Sequence, residues 1–106
     1  MNTKVRLAGL VLLAASVIAP GLAQSGGKDV YKAKCQACHG TAGMADTRMG
    51  KMLKVKPVTD PSVKKMNLQQ MVDAVRNGMG KMQAYKGKLT DAQIKDSVEH
   101  FRTFIK

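Results

Sequence analysis

The stretch that decides the reading of this chain is Lys34-Cys35-Gln36-Ala37-Cys38-His39-Gly40-Thr41-Ala42-Gly43, KCQACHGTAG, residues 34–43. It holds the only two cysteines of 106 residues, three positions apart, with a histidine directly after the second. Three chemistries use such spacing. A redox dithiol needs a strand before it and a βαβ context, and the flanking sequence offers neither. A closed zinc site needs four ligands, whereas the motif supplies three and the only other histidine, His100, is distant in sequence. Covalent haem attachment uses every residue of the motif. Two thiols on one helical turn can add to the two vinyl groups of one haem edge, and the next histidine comes under the iron.

Working outward toward the N-terminus, Lys4 and Arg6 precede an apolar run from Leu7 to Ala19, with Ser16 its one polar residue, then Pro20, Gly21, Leu22 and Ala23. This is the layout of a secretory signal peptide over residues 1–23, with cleavage expected before Gln24. The run is short of the roughly 20 apolar residues a membrane span needs. No cysteine follows it to carry a lipid anchor. The expected organisation is therefore residues 1–23 as leader and 24–106 as one exported domain of 83 residues, placed in the periplasm.

Such a domain buries a modest share of its surface and benefits from a staple or cofactor. With no Trp, and only Tyr31, Tyr85, Phe101 and Phe104 as aromatic residues, it has little bulk of its own. Removing Lys4 and Arg6 from the 18 basic residues leaves sixteen against seven acids, a net charge near +9. Export argues against nucleic acid as the counterpart. The lysines are spread along the chain rather than gathered in a stripe with interleaved aromatics.

The pattern predicts an all-α domain with three principal helices, long connections and no internal repeat. Ser25-Gly26-Gly27 reads as a flexible entry. A helix is expected from Asp29, as its cap, through Cys38, and Gly40 ends it. Residues 41–65 read as loops with a short helical turn near Met49–Leu53. Asn67 with Gln70, and Thr90 with Gln93, carry the capping-box signature. They open helices whose apolar faces are Leu68, Met71, Val72 and Val75, and Ile94, Val98, Phe101 and Ile105. Gly78 closes the first, and residues 78–89 form an ordered loop between them.

Over essentially the whole exported domain the sequence resembles the small class I monohaem cytochromes c of bacteria. The resemblance rests on the Asp29–Gly40 segment with its Cys-x-x-Cys-His and on "NGMGKMQAYKGKLTDAQI", residues 77–94. The latter looks like the family's sixth-ligand loop, followed by a capped C-terminal helix. The resemblance implies a cytochrome c-like fold wrapped around one covalent haem c, with Cys35 and Cys38 as attachment points, His39 as proximal ligand and Met82 as distal ligand. Tyr31 looks like the family's aromatic that packs on the C-terminal helix, here against Val98 and Phe101. Gln83 stands where the family usually has proline.

Among the other methionines, Met79 is the rival to Met82. Met71 is expected in the core, and Met44, Met49, Met52 and Met66 could pack against the haem. His100, the other candidate for the sixth position, is expected to be an exposed helix residue, with bis-histidine ligation as the minor alternative. The implied function is a one-electron carrier rather than an enzyme, serving redox proteins with acidic docking surfaces that Lys34, Lys51, Lys81, Lys86 and Lys88 would steer. The alternative is a haem enzyme or gas sensor with a labile distal ligand. The protein is expected to be monomeric and to have no stable membrane span once cleaved.

Overall fold

The computed structural model describes Gly9 and residues 26–106. The leader expected over 1–23 lies, Gly9 excepted, outside the described residues. Among the described residues six helices follow one another: α1 (Gly27–Lys34), α2 (Gln36–His39), α3 (Arg48–Met52), α4 (Pro61–Lys64), α5 (Leu68–Asn77) and α6 (Asp91–Arg102). Among the described residues there is no strand, only isolated bridges between Met79 and Met82 and between Lys86 and Leu89. The principal helices are α1, α5 and α6, as the periodicity predicts.

Helices α1 and α6 cross closely because α1 begins on a glycine. A Cβ at Gly27 would lie 2.0 Å from the Asp96 carbonyl oxygen, so only glycine lets the two backbones meet. This corrects the reading of Gly27 as part of a flexible entry. It also moves the cap: Gly26 precedes the helix without a side-chain bond, and Asp29 stands in the first turn, where its charge favours the helix N-terminus. The helix does not run unbroken through Cys38. Cys35 interrupts it at φ −114°, and the short α2 carries the rest of the motif.

Both predicted capping boxes form. Asn67 accepts from the Gln70 N–H at 2.8 Å while the Gln70 side chain accepts from the Asn67 N–H at 2.9 Å. Thr90 and Gln93 make the same reciprocal pair. Each box satisfies two helix-end donors, and loss of its cap costs about 1 kcal/mol. The α4 turn was not expected. Asp60 caps it by accepting from the Ser62 N–H, and Pro61 occupies the first turn, where its missing N–H does no harm.

The core of the α5–α6 pair is Met71, Val72, Ile94 and Val98. Around it pack Val63, Met66, Leu68, Val75, Tyr85, Leu89, Phe101 and Ile105. The Arg102 guanidinium donates to the Met66 carbonyl at 2.8 Å, tying the segment before α5 to the end of α6. The one buried polar side chain of this region, Ser97, donates its hydroxyl to the Ile94 carbonyl at 2.9 Å.

Candidate functional site

The site begins at the break after α1. Cys35 and Cys38 are unbridged, half-buried thiols, and His39 follows at the end of α2. The helical backbone is what holds the three together: the His39 N–H donates to the Cys35 carbonyl at 2.9 Å and the Gly40 N–H to the Gln36 carbonyl at 2.9 Å. Burial, with the Cys38 thiol next in effect, pushes the Cys35 thiol up to about 11.

Tyr31 anchors this turn from behind. Only 2% exposed, it donates its hydroxyl to the Gly40 carbonyl at 2.6 Å. Burial raises its phenol above the usual tyrosine range, with Cys35 and Asp46 adding to the effect, so the hydroxyl stays a donor. Its ring stacks on Phe101 of α6 at 6.2 Å, and Phe101 in turn meets the His39 ring edge-on at 5.3 Å. The aromatic of α1 does therefore pack on the C-terminal helix, and that helix orients the histidine. His100 is not the exposed residue expected: it is half-buried, its ring 5.2 Å from Tyr31 and 5.1 Å from Phe104. Its place one residue before Phe101, on the face α6 turns to Tyr31, is the signal that sequence reading passed over.

Burial also lowers the His39 pKa, leaving a neutral imidazole with a lone pair to give. Its Nδ1 is buried with no hydrogen-bond partner. Buried polar nitrogens are nearly always partnered. An unpaired neutral imidazole directly behind two free thiols is a donor set that fits a covalently tethered iron macrocycle. Among the described residues, no three of His, Cys, Asp or Glu come together as the cage a structural zinc would require.

The second segment is the loop after α5. Gly78, at φ +82°, ends the helix, and Met79 and Met82 exchange two backbone hydrogen bonds of 3.1 and 2.9 Å across Gly80-Lys81. Met79 is 57% exposed, whereas Met82 is half-buried. The loop is clamped at its far side. The Tyr85 and Lys86 N–H groups donate to the Val75 and Arg76 carbonyls of α5 at 2.9 and 3.1 Å, filling acceptors that the helix end leaves open.

Gln83 has a defined task. Lys88 donates to its Oε1 at 2.7 Å, its Nε2 donates to the Tyr85 hydroxyl at 3.3 Å, and that hydroxyl donates to the Lys34 carbonyl at 3.1 Å. Lys34 is the residue before Cys35. The chain of bonds ties the methionine loop to the cysteine turn across fifty residues of sequence, and nothing in the composition of the loop foretells it.

The family model described as cytochrome c oxidase, cbb3-type, subunit III matches residues 23–100. Cytochrome c6 of Leptolyngbya boryana is 40% identical over 72 residues, which is 68% of this chain and 80% of that protein. The chain belongs to the class I cytochromes c. Its fold agrees with a solved structure titled KustC0563 c-type cytochrome, at 27% identity and a TM-score of 0.69, covering 77% of this chain and all of that one. A mutant of the same protein aligns at 26% identity and a TM-score of 0.66, covering 76% and 99%. The cytochrome is thus a small all-α electron-transfer protein with covalently bound haem c, not an enzyme, and it works with redox partners. Among the described residues no helix is long and apolar enough to cross a membrane.

One short repeat stands against the expectation of none. The tetrapeptide Met-Gly-Lys-Met occurs twice, at 49–52 in α3 and at 79–82 in the loop. Met44, Met49 and Met52 are all substantially exposed.

Proposed function

We propose that Cys35 and Cys38 are the two thioether attachment points, His39 the proximal iron ligand and Met82 the distal ligand. When bound, the haem supplies a ferric/ferrous couple, and a neutral thioether opposite histidine favours its ferrous state. The task of the chain is to hold both ligands in place while one electron is gained and lost. Tyr31 and Phe101 brace His39, and the Lys88–Gln83–Tyr85–Lys34 chain braces the Met82 loop. That chain is the observation that carries the reading, because it joins the two ligand-bearing segments. The greater burial of Met82 supports it over Met79.

The same reading takes residues 1–23 as a leader removed before Gln24, so that the monomeric domain of 24–106 works in the periplasm. Its partners are periplasmic or membrane-bound redox proteins with acidic docking surfaces, drawn by the excess of lysine.

Two measurements test the assignment. Acid-acetone extraction should leave the haem on the wild-type chain and release it from the Cys35→Ser/Cys38→Ser double variant. Ferrous wild type at neutral pH should bind carbon monoxide slowly, and Met82→Ala should bind it rapidly. Rapid binding by the wild type would show an open distal site and contradict the carrier with two fixed ligands.

A further inference from the structure

Helix α3 is pinned to the cysteine turn. The Thr47 hydroxyl donates to the Ala37 carbonyl at 2.7 Å and accepts from the Gly50 N–H at 2.9 Å, so one side chain both caps α3 and fastens it to α2. Gly50 seats the helix: a Cβ there would fall 2.4 Å from the Cys38 carbonyl oxygen and 2.7 Å from that of Ala45. With Gly50 turned inward and buried, its neighbours Met49 and Met52 stand 42% and 61% exposed. Together with Ala37, Thr47 and Arg48 they line a shallow groove of about 480 Å³ on the outside of the turn.

Single exposed apolar residues are ordinary. What sets this groove apart is its rim. Arg48 lines the groove itself, and the stretch between Asp46 and Asp60 carries Lys51, Lys54 and Lys56 besides it and no acid. The ion pairs among the described residues join Arg76 to Asp73 and Asp91, and Lys95 to Glu99, so the charges of Arg48, Lys51 and Lys54 are not neutralised within the protein. An apolar, polarisable centre inside a basic rim has the anatomy of a transient interface. Methionine suits such a centre because its unbranched thioether adapts to different surfaces.

We propose that the outer face of α3, centred on Met49 and Met52 with Arg48 in the groove and Lys51 and Lys54 close by in the chain, is where an acidic electron-transfer protein docks, one presenting an apolar contact ringed by carboxylates. The inference rests on the electron-carrier reading and names the surface that serves it. Its placement suits electron transfer: Ala37, which lies between the two cysteines, and Thr47, bonded to the Ala37 carbonyl, both line the groove. The basic rim speeds encounter, and salt weakens it.

The test uses the haem-loaded, ferrous protein and a monomeric blue-copper protein of net negative charge as probe. One electron passes from the ferrous iron to Cu(II), giving ferric iron and Cu(I), and stopped flow reads the second-order rate at low and high salt. Arg48→Glu should lower the low-salt rate about tenfold and flatten its salt dependence, since a rim charge acts chiefly on association. Lys95→Glu on α6, with the same change in charge, should alter it less than about twofold. The Met49→Gln/Met52→Gln double variant should also slow the reaction while leaving the haem spectrum and the reduction potential unchanged. Amide shifts induced by the Cu(I) protein should cluster on residues 47–54.

Equal losses in Arg48→Glu and Lys95→Glu would overturn the proposal, because net charge alone would then explain them. So would a changed haem spectrum in the double variant, which would make Met49 and Met52 part of the haem wall. Arg48-dependent sedimentation with vesicles of phosphatidylcholine and phosphatidylglycerol, without Arg48-dependent reduction of the copper protein, would reassign the face to a membrane. A wild type that reduces hexacyanoferrate(III) but not the copper protein defeats this proposal alone. A wild type that reduces neither defeats the carrier reading as well.

Discussion

Met-Gly-Lys-Met at 49–52 and Met-Gly-Lys-Met at 79–82 are the same four residues in two unlike structures. The first is helical. Thr47 caps it, and its glycine is buried against the Cys38 and Ala45 carbonyls. The second is a two-residue turn whose glycine sits at φ +56° with nothing within 4 Å of where a Cβ would be. In the first copy glycine is needed for space. In the second it is needed for backbone conformation. The methionines differ accordingly: those of α3 face outward, while one of the loop pair, Met82, is half-buried. The residues that decide the outcome lie outside the tetrapeptide, in Thr47 on one side and in Gly78, Gln83 and Tyr85 on the other.

Alanine at the two glycines separates these causes. Gly50→Ala should have the larger effect, about 2–3 kcal/mol in chemical denaturation of the holoprotein, because backbone carbonyls must move to admit the methyl group. Gly80→Ala should cost about 1 kcal/mol, the penalty of a left-handed backbone for an L residue. Asparagine sharpens the contrast. It should recover part of the loss at position 80, where its side chain tolerates that conformation, and deepen it at position 50. Equal costs at both positions would mean that the two copies do not differ as described.

Tyr85→Phe probes what the second copy has and the first lacks, the tie from loop to cysteine turn. It leaves Gln83 and the Lys34 carbonyl without their partner and should cost about 1 kcal/mol, with the Met82 loop giving way at lower denaturant than the rest of the fold. The smallest effect lies away from both copies, at Asp60. The Ser62 hydroxyl, then the Ser62 N–H, hold its carboxyl below the usual range. Its folded pKa is thus depressed, so its contribution is present above the unfolded carboxylate pKa, near 4, and fades as pH falls through the lower folded value. Asp60→Asn should make acid unfolding slightly less steep and leave neutral stability almost unchanged.

Much of this molecule could be read from its sequence, for reasons particular to certain residues. Cys35, Cys38 and His39 are legible as a candidate site because, of the chemistries that share their spacing, haem attachment alone uses all three. Asn67 with Gln70 and Thr90 with Gln93 are legible because capping is local and its partners lie three residues apart. The helical stripes of α5 and α6 follow from period alone. What escaped reading depends on the third dimension. Gly27 looks like a linker residue until α6 is laid across it, His100 looks exposed until Tyr31 and Phe104 flank it, and Met66 lies in a stretch without pattern until it packs on the α5–α6 core. Gln83 looks only like a missing proline until Tyr85 and Lys88 are brought to its two ends. The Cys35 break and the α4 turn escaped because a four-residue helix has too little period to show.

The central claim is that the second methionine of the loop copy, and not the first, faces His39 across the iron. The most direct test is the long-wavelength sulfur-to-iron charge-transfer band of the oxidised protein, recorded for wild type, Met82→Ala and Met79→Ala. The account predicts a band in wild type that persists in Met79→Ala and disappears in Met82→Ala. A band that survives Met82→Ala and is lost in Met79→Ala would contradict it.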